Sequence, residues 1–84
     1  MHTQIEILLF ASLRERLEMQ RLSLDWSEGS VSDLRKTLSA RGDAWSDFMH
    51  PSRIRVAVNQ VMAQEDMPVQ PGDEVAFFPP VTGG

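Results

Sequence analysis

Apolar and polar residues alternate with a period of two in several short stretches of this chain and follow a helical period in one. In Ile5-Glu6-Ile7-Leu8-Leu9-Phe10, Ile5, Ile7 and Leu9 share one face of a predicted strand. The opposite face carries Glu6, Leu8 and Phe10, which is too apolar at its end for plain exposure to water. Ser12 to Glu18 reads as a short helical turn or loop. Gln20 to Asp25 then alternates cleanly and turns Leu22 and Leu24 inward. These first two strands are expected to pair like a hairpin across a long connection.

The helical period comes next. Ser30 stands at an N-cap position with Asp33 three residues on, an approximate capping box whose acid also suits the positive end of the helix dipole. Val31, Leu34 and Leu38 form a single buried stripe. Gly42 after Arg41 is the expected helix terminator, and Ala44 to Met49 a further short helical piece before Pro51. Arg55-Val56-Ala57-Val58 is a strand with Val56 and Val58 facing the core. Asn59-Gln60 turns it into a short strand over Val61-Met62-Ala63, although Gln is a poorer second turn residue than Gly. After the turn Gln70-Pro71-Gly72-Asp73, the last strand runs from Glu74 to Phe78. Val75 and Phe77 lie on one side of it, Ala76 and Phe78 on the other. The order β-β-α-β-β-β, with one amphipathic helix across a mixed sheet, predicts a two-layer α+β domain.

Composition narrows the chemistry. At 84 residues the chain is one domain, and a domain of this size buries little more than about 60% of its unfolded surface. A deep private active site is not expected. With 42% hydrophobic and 24% charged residues it reads as globular. There is no cysteine, hence no disulfide frame, thiolate nucleophile or Cys-based metal site. His2 and His50 are too far apart in sequence to argue for a metal, and none is expected. The formal charge is −4, with seven arginines scattered among twelve carboxylates. Nucleic-acid binding needs a basic face, so that class is set aside. No basic leader or membrane-length apolar run is seen, and the expectation is a soluble, cytoplasmic protein.

The carboxyl end changes the picture. Gly83-Gly84 comes directly after the uncharged run Val75-Ala76-Phe77-Phe78-Pro79-Pro80-Val81-Thr82. Glycine can enter a channel too narrow for any other residue. The paired prolines favour an extended path and donate no N–H to a sheet. Residues 1–78 thus form the folded domain and 79–84 a flexible extended tail, reaching roughly 20 Å at about 3.3–3.6 Å per residue. Such an end suits a carboxylate used as a reactive group inside another protein. It equally suits a frayed terminus, and taken alone the pair of glycines does not decide between them.

The final thirteen residues, Gly72 to Gly84, together with Ala57-Val58-Asn59-Gln60, resemble the small sulfur-carrier subunit of molybdopterin synthase, within the ubiquitin-like ThiS superfamily. The likeness spans the chain in length and element order, and 19–52 carries little of it. It implies a ubiquitin-like β-grasp fold with one main helix packed on one face of a mixed sheet. It also implies a non-catalytic subunit with no permanently bound cofactor. A ubiquitin-activating-like adenylyltransferase would use ATP to adenylylate Gly84, and a sulfur donor would convert the acyl adenylate to a thiocarboxylate. The large catalytic subunit, in a heterotetramer with one carrier at each end of a dimer, would take in the tail. The sulfur would pass there to cyclic pyranopterin monophosphate. Gly83 keeps the approach to the acyl carbon open, and a thiocarboxylate is a soft nucleophile that removes any need for cysteine.

By the same resemblance, docking uses the sheet face away from the helix. Its apolar patch maps onto Phe10, Met62 and Phe78, with Arg14 at the rim and Pro79, Pro80, Val81 and Thr82 leading into the partner. Methionine adapts well at interfaces, and aromatic residues at the root of a reactive tail are apt hot spots. Phe10 and Phe78 could also be ordinary satellite core. The pairs Glu65-Asp66 and Asp73-Glu74 read as solvated turn acids. Trp26 and Trp45 read as caps on the core edge, Met49 and Met67 as gap fillers, and His50 as a loop residue. Three other functions share these features: a thiamine-pathway sulfur carrier, a ubiquitin-like modifier, and a non-covalent β-grasp module. Against the first stand the Phe77-Phe78-Pro79-Pro80 lead and the chain's greater length. For the second, Lys36 is the only lysine available for self-conjugation.

Overall fold

The computed structural model describes residues 3–80; Val81, Thr82, Gly83 and Gly84 lie outside the described residues, as do Met1 and His2. Alternation produces strands where it was expected, with small shifts at their ends. In chain order the elements are β1 (Gln4–Leu9), α1 (Ser12–Leu17), β2 (Arg21–Asp25), α2 (Val31–Ser39), a 3₁₀ segment (Asp43–Met49), β3 (Arg55–Val58), β4 (Val61–Met62) and β5 (Glu74–Phe78). They build a five-stranded mixed sheet in the order β2-β1-β5-β3-β4.

The first and last strands run parallel at the centre of that sheet, with Ile7 opposite Val75 and Leu9 opposite Phe77. Every other pairing is antiparallel, and the expected β1–β2 partnership is present with Ile5 opposite Leu24. Ile5, Ile7, Leu9, Val56, Val58, Val75 and Phe77 all point to one face and are buried there with Val31, Leu34 and Leu38 of α2. Phe48 and Trp45 from the 3₁₀ segment close the same core, Phe48 meeting the Phe77 ring edge-on at 5.1 Å. Leu22 and Leu24 are only half-buried, because β2 is an edge strand.

Helix α2 starts with a complete capping box: the Asp33 amide donates to Ser30 Oγ at 3.2 Å, and the Ser30 amide donates to Asp33 Oδ2 at 2.9 Å. The Ser30 amide and, at 3.1 Å, the Ser30 hydroxyl both donate to the Asp33 carboxyl and hold it below its ordinary range. The other end departs from expectation. The helix stops at Ser39 and is capped by Ala40 in right-handed geometry, so Gly42 is not its terminator. Gly42, with φ 147°, instead opens the 3₁₀ segment. A glycine shortly past a helix satisfies either role in sequence, and only the backbone path separates them.

Of the two forms expected for residues 12–18, a helical turn or a loop, 12–17 take the helical one, with Leu13 and Leu17 buried. Several other expectations change. Met49 is exposed and fills no gap. Glu65 is no idle turn acid: it accepts a 2.7 Å bond from Nε of Arg35, the only buried charged residue described, at 3% exposure. Arg35 Nη1 also donates to the Phe48 carbonyl at 3.2 Å, and its guanidinium lies 5.9 Å from the Phe77 ring centre. One arginine on α2 therefore ties together the helix, the 3₁₀ segment, the loop before β5 and β5 itself. Asp73 is structural as well, its Oδ2 accepting from the Gln70 amide at 2.8 Å and its Oδ1 from Asn59 Nδ2 at 3.1 Å.

Asn59 and Gln60 both have positive φ, 50° and 69°, as a two-residue hairpin of the type I′ kind requires. Asn tolerates that region; Gln does so at a cost. Replacing Gln60 by Gly is expected to raise stability by about 0.5–1 kcal/mol, read as a higher urea midpoint with an unchanged slope. Arg35→Ala is expected to lower it by about 2–4 kcal/mol, because it leaves a cavity and an unsatisfied Phe48 carbonyl. Chemical denaturation of the two variants beside the parent checks both signs.

Candidate partner-docking site

The sheet has a second face that no described helix covers. Registers across the strands align a row of residues on it: Arg21 of β2, Leu8 of β1, Ala76 of β5, Ala57 of β3 and Met62 of β4. The row is apolar from Leu8 to Met62, with Ala76 half-buried and Ala57 buried at its centre. One step toward the end of β5, Phe78 stands opposite Arg55, with Phe10 just past β1. Phe10 lies outside the strand, but its amide still donates to the Phe77 carbonyl at 3.2 Å, so it stays level with the end of β5. One step the other way the face turns polar, with Ser23, Glu6 and Glu74 in line.

Phe10 is 45% exposed and Met62 59%; Phe78 is half-buried. Phe10 and Phe78 are thus brought together at the end of the central strands, while Met62 stands at the far edge, joined to them by Leu8, Ala76 and Ala57. Those three bridging residues were missed in the sequence, although Leu8 and Ala76 share the strand parity of Phe10 and Phe78. Arg14 is exposed on α1 and lines a shallow hollow with Leu8, Leu9, Phe10, Gln20 and Arg21. Pro79 and Pro80 come directly after β5 and are half-buried, without strand pairing. A chain leaving β5 through them starts at the aromatic pair.

The turn Phe10-Ala11-Ser12-Leu13 fixes how Phe10 is presented. Ala11 has φ 54° and ψ −130°, a conformation that suits glycine better than alanine. The Leu13 amide closes the turn on the Phe10 carbonyl at 3.1 Å. The hydrophobic side chain is held outward by backbone geometry rather than by packing. No group in this region is arranged for acid–base or nucleophilic work. What the surface can do is bury apolar area against another protein.

Phe10 and Phe77 are adjacent in space and opposite in role, which a pair of truncations separates. Phe10→Ala is expected to change unfolding free energy by no more than about 0.5 kcal/mol, and Phe77→Ala to lower it by about 3–5 kcal/mol. Equal losses in urea denaturation would place Phe10 in the core.

The ThiS family profile matches residues 7–84. The molybdopterin synthase sulfur carrier subunit of Escherichia coli strain K12 is 39% identical over 80 residues, covering 95% of this chain and 99% of that one. The crystal structure of Haloferax volcanii small archaeal modifier protein 1 superposes with a TM-score of 0.78 at 28% identity, over 94% of this chain and 99% of that one. A complex of subunits 1 and 2 of molybdopterin-converting factor from Helicobacter pylori 26695 gives a TM-score of 0.69 at 18% identity, over 96% and 99%. At that identity the last likeness speaks for the fold alone. The expected β-grasp is therefore the fold observed, with its helix on one face and its mixed sheet open on the other. A match that begins in the first strand and runs through the final glycine makes this chain a member of the ThiS family.

Proposed function

We propose that the protein is the sulfur-carrier subunit of a molybdopterin synthase, with Gly84 as the acyl group that carries the sulfur. The observation that carries this reading is full-length similarity to the Escherichia coli carrier subunit, joined to an uncovered apolar sheet face at the root of the tail. A carboxylate is a poor electrophile, so an adenylyltransferase must first use ATP to make it an acyl adenylate. A sulfur donor then displaces the nucleotide and leaves a thiocarboxylate. The large catalytic subunit receives the tail, with Phe10, Phe78 and Met62 against its surface, Arg14 at the rim, and Pro79, Pro80, Val81 and Thr82 in its channel. Gly83 gives the acyl carbon room there. Two large subunits with a carrier at each end form the working assembly, and cyclic pyranopterin monophosphate takes the sulfur. The subunit itself supplies no catalytic side chain, in keeping with a sheet face of apolar residues, arginines, paired acids and a serine bonded to Glu6. A cytoplasmic location, shared with an ATP-dependent partner, belongs to this reading; no described helix is long and apolar enough to cross a membrane.

One observation favours a second reading. The archaeal protein matched at a TM-score of 0.78 is named a small modifier, so conjugation of Gly84 to protein lysines is the alternative. Deleting Gly84 tests the first reading with the protein's own partners. Thermal stability is expected to stay within a degree or so of the parent, since the last strand already ends at Phe78. Sulfur transfer to the pterin precursor is expected to disappear. Transfer retained by the shortened chain would overturn the assignment, and ladders of lysine conjugates formed by the full chain would replace it with the modifier reading.

A further inference from the structure

Most of the arginines are already engaged within the fold. Arg16 and Arg53 share Asp47, Arg21 holds Glu6 at 3.1 Å and Arg35 holds Glu65. Arg41 lies 4.7 Å from the centre of the Trp45 ring. Among the described residues only two arginines, Arg14 and Arg55, have neither an ion pair nor an aromatic partner. These two flank the aromatic pair: Arg55 is directly across the strand from Phe78, and Arg14 lines the hollow beside Phe10. In a chain of net charge −4, the unengaged guanidinium charge is thus gathered at the root of the tail. At the opposite end of the same face Glu6 is already paired with Arg21, and Glu74, with Asp73 behind it, leaves that end acidic.

Docking over Phe10 and Phe78 strips water from Arg55. A guanidinium desolvated without a partner opposes binding, whereas one met by a carboxylate favours it and fixes the orientation. We infer that the large-subunit surface closing over Phe10 and Phe78 carries carboxylates opposite Arg55 and Arg14, and that Arg55 is a specificity residue of this interface. The inference rests on the function proposed above, which supplies the occupant. The charge pattern has two ends, so a partner acidic near its channel mouth is attracted in one orientation of the face and repelled when the face is reversed. An overall acidic carrier can thereby dock on an acidic rim, because charges farther off than a screening length of about 8 Å contribute little at physiological salt.

Association of the full-length chain with its purified large subunit, measured by stopped flow at low and high salt, tests this. Arg55→Glu is expected to slow association at least about tenfold at low ionic strength. The deficit is expected to fall to within about twofold in high salt, where a Debye length of roughly 3–4 Å screens the pair. Arg55→Gln falls between, and Lys36→Glu on the helix side binds like the parent. Phe78→Ala separates this inference from the reading beneath it. Impaired binding by Phe78→Ala with undiminished association by Arg55→Glu would overturn the carboxylate rim and leave the docking face standing. Undiminished binding by both variants would overturn the docking face itself. A loss for Arg55→Glu that is equal at all salt concentrations also counts against the inference, since charge pairing would not be its cause.

Discussion

The pairing of the first strand with the last is the constraint on which the rest of this structure depends. β1 and β5 lie parallel at the centre of the sheet, and the whole of the chain between them is one long crossover. That arrangement buries Ile7, Leu9, Val75 and Phe77 under α2 and at the same time sends Leu8, Ala76 and Phe78 to the uncovered side. It also sets the end of β5 beside the end of β1, so Phe10 and Phe78 lie at the same end of the sheet although they are far apart in sequence. A one-residue slip in this register would exchange the faces of the slipped strand, turning its core residues outward. The core and the uncovered apolar face are therefore specified by the same hydrogen bonds.

A second layer of specification comes from polar groups that look incidental in the sequence. Arg35, buried and bonded to Glu65 and to the Phe48 carbonyl, locks α2 to the segments beside it. Asn59 accepts from the Glu74 amide at 3.0 Å and donates to Asp73, which anchors the β3–β4 turn to the start of β5. Both networks tighten the frame around β5. On the proposed function such a frame serves a carrier well, because it holds the end of β5 in a fixed place relative to the apolar face.

Strand and helix positions were legible in the sequence because alternation and the Ser30–Asp33 box are local signals. So was the sidedness of Phe10 and Phe78, which is the parity opposite to that of Ile7 and Phe77. The neighbours of each strand were not legible: nothing in the spacing says that β5 lies between β1 and β3, and the resemblance alone supplied the β-grasp. Gly42 misleads because a glycine after a helix can end it or begin the next turn. Arg35 and Glu65 escape notice because a charged residue within an amphipathic stripe normally faces water, and its partner comes from a loop 30 residues away. Leu8, Ala76 and Ala57 are silent as interface residues because small or single apolar side chains mean little until the sheet sets them in one row.

On the function proposed above, the domain presents a terminal acyl group that is charged elsewhere, and its own side chains do no chemistry. The most direct test of that claim is the intact mass of the protein after incubation with its adenylyltransferase, ATP and a sulfur donor, with fragmentation to locate any change. The predicted result is replacement of one oxygen by one sulfur, confined to Gly84 and dependent on ATP. An unchanged mass under conditions that charge a related carrier, or sulfur found at any other residue, would contradict it.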